Sequence, residues 1–511
     1  MGTRAGGPIS AIRDTIPPRD GGAARVIVRR GATIAAIASL PILVAAIFAR
    51  VLLGGTPVTA IPYVSDEIAY WTQIAAFQVA GFHGGYTTVN EQPARAAFSH
   101  FGPQGPAFAM LYGAVARLAG WQYQSGPFFG AAAVALGAAV WIAVARPERL
   151  RAALLLATFW PIILAAPNTM QESLHFGIGA VLAALIGVLF TDGSPSRSHI
   201  RLTWAFLAAA ALVRPTWALL AIGLGWQLAR KRGASHSRGL ATGALIAGAL
   251  YLAFTYLAAP YRGASLGLDL FTGGVTPAFV ALFSGLTGFG RWLFGEAEPL
   301  ERFYRFELLA VALLAGLSAA RAREAATRHV MAAIAATVCI TIAANLTLQN
   351  VGAWRDYRAS TPVLLMAVLA AAAARERWSW AIVAAHLVVA PLAVTTFKDF
   401  QGPRWQRADP AAAIERFAGS IRGHMGYDPA LSGWGNTVLI GVNRYDYPLL
   451  GVPRGMGLSV TFDWAKLPAP ARSRYLLLAE PDLAAVAGRM RLQKLADTPM
   501  GGLYENEDWA R

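Results

Sequence analysis

The chain has 511 residues, of which 56% are hydrophobic and only 14% are charged, and its mean hydropathy is +0.45. This balance is typical of polytopic membrane proteins and excludes a water-soluble fold. The net charge of +16 does not indicate nucleic-acid binding, because the lysines and arginines form short clusters between apolar runs, as topology determinants do. The single cysteine, Cys339, excludes an intrachain disulfide and a thiolate metal site.

The first apolar run covers residues 31 to 53 and is long enough to cross a bilayer. The arginine-rich segment of residues 1 to 30 before it shows no cleavage pattern, which predicts a short cytoplasmic tail. The stretch that begins at Ser65 is therefore expected on the outer face. Ser65 suits a helix N-cap and would place Asp66 and Glu67 in the first helical turn, where ionised carboxylates are stabilised. We predict Asp66 and Glu67 as catalytic carboxylates.

The basic clusters between the apolar runs set the register of the later spans. If residues 106 to 121 crossed the membrane, the arginines that follow the next run would face outward, against the positive-inside rule. We therefore interpret residues 106 to 121 as an interfacial helix on the outer surface. Eleven spans result, and the odd count places the C-terminus outside. The predicted spans are 31–53, 127–145, 152–166, 174–190, 202–213, 215–229, 240–259, 306–320, 330–348, 362–374 and 379–396.

The remaining segment, residues 398 to 511, mixes Gly, Pro, Trp and charged residues with short apolar runs. Runs rich in apolar residues predict strands at 437–442, 458–462 and 474–479, and a helix at 481–490. We therefore expect three parts: the tail, a membrane domain of residues 31–397, and a small α/β domain on the outer face.

A short polar loop before the span at 174–190 carries Glu172 and His175. The two residues are three apart and would share one helical face. Carboxylates together with imidazole suit a divalent cation, so Asp66, Glu172 and His175 are candidate metal ligands and a divalent metal ion is a candidate cofactor. The alternative is an ordinary polar helix end without a metal.

Several arginines in the predicted outer loops run against the positive-inside rule, and one of them, Arg214, directly precedes Pro215 between two apolar runs. An anionic ligand on that side would stabilise them, and the planar guanidinium group matches phosphate oxygens. Carboxylates facing such arginines indicate a transferase that uses a lipid-phosphate donor. The alternative is that each arginine is solvated or snorkels to the interface. The candidate substrate-binding residues are Tyr70, Arg214, Arg262, Arg291, Arg355, Tyr357 and Arg358.

Four features occur in a characteristic order: the first span followed by Ser65-Asp66-Glu67-Ile68-Ala69-Tyr70, the surface helix introduced by Phe101-Gly102-Pro103-Gln104-Gly105-Pro106, the short loop with Glu172, and Tyr357-Arg358 before Pro362. With them the chain resembles the GT-C superfamily of membrane glycosyltransferases, which includes protein O-mannosyltransferases and the aminoarabinose transferase of lipid A. The resemblance implies that Asp66 is the catalytic carboxylate, with Glu67 as its partner. The Lys-Pro-Pro-like motif of the lipid A branch is replaced here, so the resemblance does not imply an acceptor.

The expected activity is transfer of a hexosyl or pentosyl group, with inversion, from a polyprenyl-phosphate donor to an acceptor on the outer face of the inner membrane. The expected partners are this donor and membrane lipids, without nucleic acid. One alternative is a polytopic transporter or lipid flippase, which needs ionisable residues at mid-bilayer depth; Glu307, near a span edge, is the closest case. Another is an assembly factor whose outer domain binds a partner.

Overall fold

The computed structural model describes residues 22–63, 65–96, 101–190, 196–260, 276, 279–280, 283, 287–347, 358, 360–406, 409–431, 433–468 and 470–510. Within them the chain is mainly helical, and a five-stranded sheet lies near the C-terminal end. The predicted fold class, a helical polytopic membrane protein with a small C-terminal α/β domain, is therefore confirmed.

The helices begin with a continuous series that ends at residue 257. They are α1 (Gly22–Leu53), α2 (Ser65–Ala80), α3 (Ala107–Ala119), α4 (Ser125–Ala145), α5 (Arg149–Thr158), α6 (Trp160–Ala165), α7 (Glu172–Phe190), α8 (Arg197–Val213), α9 (Leu220–Lys231) and α10 (His236–Leu257). The later helices are α11 (Phe289–Phe294), α12 (Pro299–Arg321), α13 (Ala325–Thr347), α14 (Thr361–Ala373), α15 (Trp378–Val388), α16 (Ala390–Gln406), α17 (Pro410–Ile421) and α18 (Glu480–Val486).

Six helices among the described residues are long and apolar enough to cross a membrane: α1, α4, α7, α10, α12 and α13. The pair of α15 and α16, bent by 56°, is a seventh candidate. The predicted count of eleven spans is not confirmed, because several predicted spans are broken or short. The run at 152–166 breaks between α5 and α6, and the run at 215–229 starts as a 3-10 helix, Pro215–Leu219, before α9. Helix α14 has only 13 residues and is buried nearly all round.

Helix α3 matches the interfacial helix expected from the basic clusters. It exposes Leu111, Val115 and Leu118 along one side and buries Phe108 and Tyr112 on the other. An amphipathic helix of this kind lies along a membrane surface rather than across it. The arrangement agrees with the interpretation of residues 106 to 121 as a surface element.

Helices α4 and α7 cross at glycines. A Cβ atom on Gly177 would collide with the carbonyl oxygen of Ala133, and a Cβ atom on Gly137 would collide with Gly177. Small residues let two helix backbones approach closely in a membrane, where van der Waals packing drives helix association. This crossing fixes the start of α7, where Glu172 lies, relative to the rest of the bundle.

The C-terminal sheet has the strand order β2-β1-β3-β5-β4, with β1 (Thr437–Gly441), β2 (Gly457–Thr461), β3 (Tyr475–Leu478), β4 (Leu492–Thr498) and β5 (Gly501–Asn506). Strands β1, β2 and β3 are parallel, and β5 and β4 join antiparallel. The first three strands and the helix after β3 were predicted from the sequence. Strands β4 and β5 were missed. In β4 polar residues are frequent and no side chain is fully buried. The predicted domain boundary between residues 397 and 398 falls inside α16.

The loop after α2 pairs with the edge of this sheet. The Asn90 N–H donates to the Val460 carbonyl at 2.7 Å, and the Val460 N–H donates to the Thr88 carbonyl at 2.9 Å. Glu91 is buried and accepts hydrogen bonds from the N–H groups of Arg472 and Ser473. The loop after α2 and the sheet domain are therefore packed together.

A basic cluster lies at the end of α7 opposite Glu172. Helix α7 starts at Glu172 and ends at Phe190, and there the Lys231 ammonium donates to the Leu189 carbonyl at 3.4 Å. A basic cluster at this end of the helix is what the positive-inside rule predicts for a cytoplasmic loop.

Candidate functional site

The two acidic residues at the start of α2 have opposite environments. Both lie in the first helical turn, as predicted. The Asp66 side chain is 42% exposed, whereas the Glu67 side chain is 0% exposed. Successive residues on a helix point about 100° apart, so one of two neighbours can face a cleft while the other enters the core. Of the two predicted catalytic carboxylates, Asp66 is the one that solvent and a ligand can reach.

Arg358 faces Asp66 across the site. Its Nη2 atom lies 3.4 Å from Oδ2 of Asp66, and its Nη1 atom lies 3.2 Å from Sδ of Met170. The guanidinium group remains about one-third exposed. The predicted pairing of an outer arginine with the acidic stretch is therefore present in the structure.

Arg214 lies on the other side of the same site. Its backbone is extended between α8 and the 3-10 helix at Pro215. Its Nη2 atom is 3.9 Å from Oε1 of Glu172, and its Nη1 atom donates to the Arg358 carbonyl at 3.5 Å. Because residues before proline favour extended backbone, the Arg214-Pro215 pair ends α8 and leaves the guanidinium group at the site.

Tyr70 lies within the electrostatic influence of four charged side chains, those of Asp66, Glu172, Arg214 and Arg358. It lies one turn after Asp66 on α2 and is 7% exposed. Burial raises the pKa of the Tyr70 hydroxyl well above its usual value; the charges of Asp66 and Glu172 raise it further, and those of Arg214 and Arg358 lower it. The hydroxyl therefore stays protonated at physiological pH and can donate a hydrogen bond. Two carboxylates, two guanidinium groups and a neutral phenol converge here.

The sheet domain also contributes to the surroundings of Asp66. Tyr445 follows β1, and burial raises the pKa of its hydroxyl; the charge of the Asp66 carboxylate raises it further. Tyr445 was not singled out in the sequence. The position of Tyr445 near Asp66 depends on the packing of the sheet domain against α2, which the sequence does not reveal.

Glu67 is held in a closed hydrogen-bond network. Its Oε1 atom accepts from the Thr169 N–H at 2.7 Å, and its Oε2 atom accepts from the Tyr63 N–H at 3.0 Å and from Nη2 of Arg404 at 2.7 Å. With both oxygens engaged and no exposure, Glu67 is placed to hold the loops rather than to meet a substrate. Sequence analysis missed Arg404, whose only signal was its position at the outer end of the last predicted span.

The predicted metal ligands do not form a metal site. Nδ1 of His175 accepts from the Trp217 indole at 3.2 Å, which fixes Nε2–H as the donor to the Gln171 side chain at 3.4 Å. Both ring nitrogens are thus engaged, and Asp66 and Glu172 each face an arginine. The described part of the chain contains no group of three or more His, Cys, Asp or Glu residues that would hold a metal. The donor set therefore does not fit the expected divalent cation, and His175 instead anchors the 3-10 helix after Arg214.

The other predicted substrate-binding residues are not placed at the site by the structure. Arg262, Arg355 and Tyr357 lie outside the described residues, and so does the side chain of Arg291, whose backbone belongs to α11. Their roles stay predictions.

Two buried ionisable pairs of the described residues lie within the membrane-spanning helices: Glu301–Arg305 inside α12, and Glu307–His386 between α12 and α15. Nε2 of His386 on α15 is 3.0 Å from Oε1 of Glu307 on α12, and both side chains are almost fully buried. The rings of Phe159, Phe303 and Tyr304 pack around the imidazole. The Glu307–His386 pair is enclosed by aromatic side chains rather than placed along a chain of ionisable groups.

No family model matches the chain, and no curated protein matches it. Among solved structures it aligns with two crystal structures of ArnT from Cupriavidus metallidurans, one bound to undecaprenyl phosphate and one in the apo state. The first is 12% identical and aligns over 95% of this chain and 98% of that chain at a TM-score of 0.46. The second is 14% identical, over 96% and 99%, at a TM-score of 0.42. Both TM-scores are below 0.5, so neither alignment carries a conclusion about function.

Proposed function

We propose that the protein is a glycosyltransferase that moves a sugar from a polyprenyl-phosphate donor to an acceptor hydroxyl, at a site centred on Asp66. The observation that carries the proposal is the half-exposed Asp66 carboxylate facing the Arg358 guanidinium group, with Arg214 bonded to the Arg358 carbonyl and close to Glu172. The neutral Tyr70 hydroxyl lies within the influence of all four charges. A carboxylate can accept a proton while guanidinium groups bind phosphate oxygens. Both functions are needed when a sugar leaves a phosphate.

In the proposed reaction the acceptor oxygen attacks the anomeric carbon of the sugar. The new carbon–oxygen bond forms as the bond from that carbon to the phosphate oxygen breaks. The acceptor proton goes to Asp66, and the electron pair of the broken bond leaves with the polyprenyl phosphate. Arg214 and Arg358 stabilise the negative charge that develops on this phosphate, and the Tyr70 hydroxyl donates a hydrogen bond. Direct displacement of this kind inverts the configuration at the anomeric carbon.

The Asp66–Arg358 pair gives this reaction an order of binding. In the unliganded protein the Arg358 guanidinium group pairs with the Asp66 carboxylate at 3.4 Å. A donor phosphate competes for the same guanidinium group and, on binding, releases the Asp66 carboxylate to accept the proton of the acceptor hydroxyl. The donor is therefore expected to bind before the acceptor hydroxyl is activated.

The donor class follows from the chemistry of the site and from the sequence resemblance to the GT-C superfamily. Undecaprenyl phosphate is the ligand of one ArnT structure, and we propose a lipid phosphate of the same kind here. With the basic clusters in the cytoplasm, Asp66 and the sheet domain face the outer side of the inner membrane. The acceptor is then a hydroxyl-bearing molecule of that compartment.

A transporter or lipid flippase is the competing class. It needs ionisable residues along a path through the bilayer. The Glu307–His386 pair is the observation in its favour, but both groups are buried and bonded to each other. Asp66, Arg358 and Arg214, by contrast, are partly exposed and lie at one site, which favours the transferase.

The test is transfer in proteoliposomes that contain the full chain and a panel of undecaprenyl-phosphate-linked hexoses and pentoses. Asp66→Asn is expected to lower turnover about 10²- to 10⁴-fold, the usual contribution of a general base, with little loss of stability. Asp497→Asn, on the highly exposed side chain of β4, is the matched control and should keep wild-type turnover. Wild-type transfer by Asp66→Asn, or movement of lipid across the bilayer without sugar transfer, would overturn the proposal.

A further inference from the structure

We propose that Arg404 is a positioning residue of this site. It holds the segments that lead into α2 and α7, whose first turns carry Asp66 and Glu172, in a fixed position relative to each other. The inference rests on the proposed function and extends it to a residue outside the substrate's reach. Arg404 lies in the last turn of α16, just before the chain enters the sheet domain. It is 4% exposed and therefore does not meet a ligand.

Each nitrogen of the Arg404 guanidinium group has a defined acceptor. Nη1 donates to the Ile61 carbonyl at 2.6 Å, Nη2 donates to Glu67 at 2.7 Å and to Asn168 at 2.8 Å, and Nε donates to Gln401 at 3.0 Å. A planar fork that satisfies four bonds at fixed angles cannot be reproduced by a lysine, whose ammonium group is a point charge. The four hydrogen bonds thus depend on the planar arrangement of donors that arginine has and lysine lacks.

The partners of Arg404 belong to two loops that are far apart in sequence. Ile61 lies before the start of α2, and Glu67 lies in its first turn, directly after Asp66. Asn168 lies in the loop between α6 and α7, four residues before Glu172. Glu67 closes the network, because it also accepts from the Thr169 N–H at 2.7 Å. Displacement of Arg404 would let both loops move relative to each other.

Gln401, one turn before Arg404 on α16, extends the network to α6. Its Nε2 atom donates to the Leu164 carbonyl and to Asn168, both at 2.8 Å. Three segments of the chain, at residues 61–67, 164–169 and 401–404, are therefore joined by one continuous set of hydrogen bonds. Glu67 and Arg404 each bond to both of the first two segments, and Arg404 is the one of the two that comes from outside them.

The expected consequence concerns turnover rather than donor binding. A displacement of about 1 Å in a catalytic group can lower a rate about 100-fold. Arg404→Lys keeps the charge beside Glu67 but loses the fork, so we expect kcat per folded molecule to fall at least about tenfold. The KM for the lipid-linked sugar should stay within about twofold, since Arg404 does not touch the donor.

A second variant guards against the case in which Arg404→Lys does not fold. Asn168→Ala removes one acceptor of Arg404 and leaves the Glu67–Arg404 ion pair in place, so a smaller loss of kcat with unchanged KM is expected. The combination of both changes should be non-additive, as for residues of one network. Arg422→Lys is the matched control, because Arg422 pairs with Glu415 at 3.1 Å on the exposed surface of the sheet domain.

Transfer should be measured with the full chain in proteoliposomes and normalised to the monodisperse fraction, and hydrogen exchange should be followed for residues 61–69 and 164–171. Loss of kcat without a change in KM, with faster exchange at the Tyr63 and Thr169 amides, supports the inference. Wild-type kcat per folded molecule in Arg404→Lys overturns it while the glycosyltransferase proposal stands. If wild-type protein transfers no sugar, the proposed function fails. Unchanged exchange at the Tyr63 and Thr169 amides in Arg404→Lys would overturn the positioning role independently of transfer.

Discussion

At the scale of single residues, Asp66 and Glu67 have different environments, although the sequence predicted the same catalytic role for both. Asp66 remains half-exposed beside Arg358, whereas Glu67 is buried with Arg404. Their order along the chain predicted the helix start but not which carboxylate faces the site. That distinction depends on Arg404, more than 330 residues later in the sequence, and a long-range partner leaves no local pattern.

Glu67→Gln tests this separation. The substitution leaves the buried Arg404 guanidinium group without its carboxylate, and breaking a buried ion pair typically costs about 3–5 kcal/mol. We expect a clear drop in Tm in detergent, whereas Asp66→Asn should leave Tm nearly unchanged. Equal Tm values for Glu67→Gln and wild-type protein would contradict the assignment of Glu67 as a structural residue.

Glu91 makes the contact between the first outer loop and the sheet domain sensitive to pH. Burial raises the pKa of Glu91 above its usual value of 4.5, against the effect of the hydrogen bonds from Arg472 and Ser473. A carboxyl group with a raised folded-state pKa stabilises the fold below its ordinary pKa and loses that contribution as pH rises through the raised value. The Tm of wild-type protein minus that of Glu91→Gln is therefore expected to fall as pH rises. A difference that is constant with pH would refute this effect.

At the scale of elements, the sequence predicted those whose pattern is local and missed those that depend on tertiary packing. The apolar runs of α4, α7 and α13 are long, and the sequence placed all three. The run at 152–166, which breaks between α5 and α6, and the run at 215–229, which begins as a 3-10 helix, were each predicted as one span. Apolar composition does not reveal a helix that is short but enclosed by others. Strand β4 escaped notice because a register shift between Lys494 and Ala496 breaks the alternation of apolar and polar residues that marks a half-buried strand.

The crossing of α4 and α7 carries a prediction at this scale. Gly177→Ala would press a methyl group onto the backbone of α4, and overpacking of this kind costs about 1–3 kcal/mol. Gly187→Ala on the same helix is the control, because a Cβ atom there meets nothing within 4 Å and alanine favours the helix by about 0.5–1 kcal/mol. Thermal unfolding in detergent should show a lower Tm for the first variant only. A Tm for Gly177→Ala at or above that of wild-type protein would show that the crossing can relax.

At the scale of the whole molecule, the site lies where four distant parts of the chain meet. The start of α2 supplies Asp66 and Tyr70, the start of α7 supplies Glu172, the α8–α9 region supplies Arg214, and the segment before α14 supplies Arg358. The sheet domain binds the loop after α2 and brings Tyr445 close to Asp66. Charge asymmetry along the helices let the sequence predict that the acids and outer arginines share one end. Which of the arginines meets Asp66 was decided by the bundle packing.

The central claim is that a lipid phosphate binds between Arg214 and Arg358 beside Asp66. The most direct measurement is an electron cryomicroscopy structure of the full chain in lipid nanodiscs with undecaprenyl phosphate. We expect phosphate density within hydrogen-bonding distance of both guanidinium groups, with Arg358 turned from Asp66 toward the phosphate. Phosphate bound elsewhere on the protein, with the Asp66–Arg358 pair intact, would contradict the account.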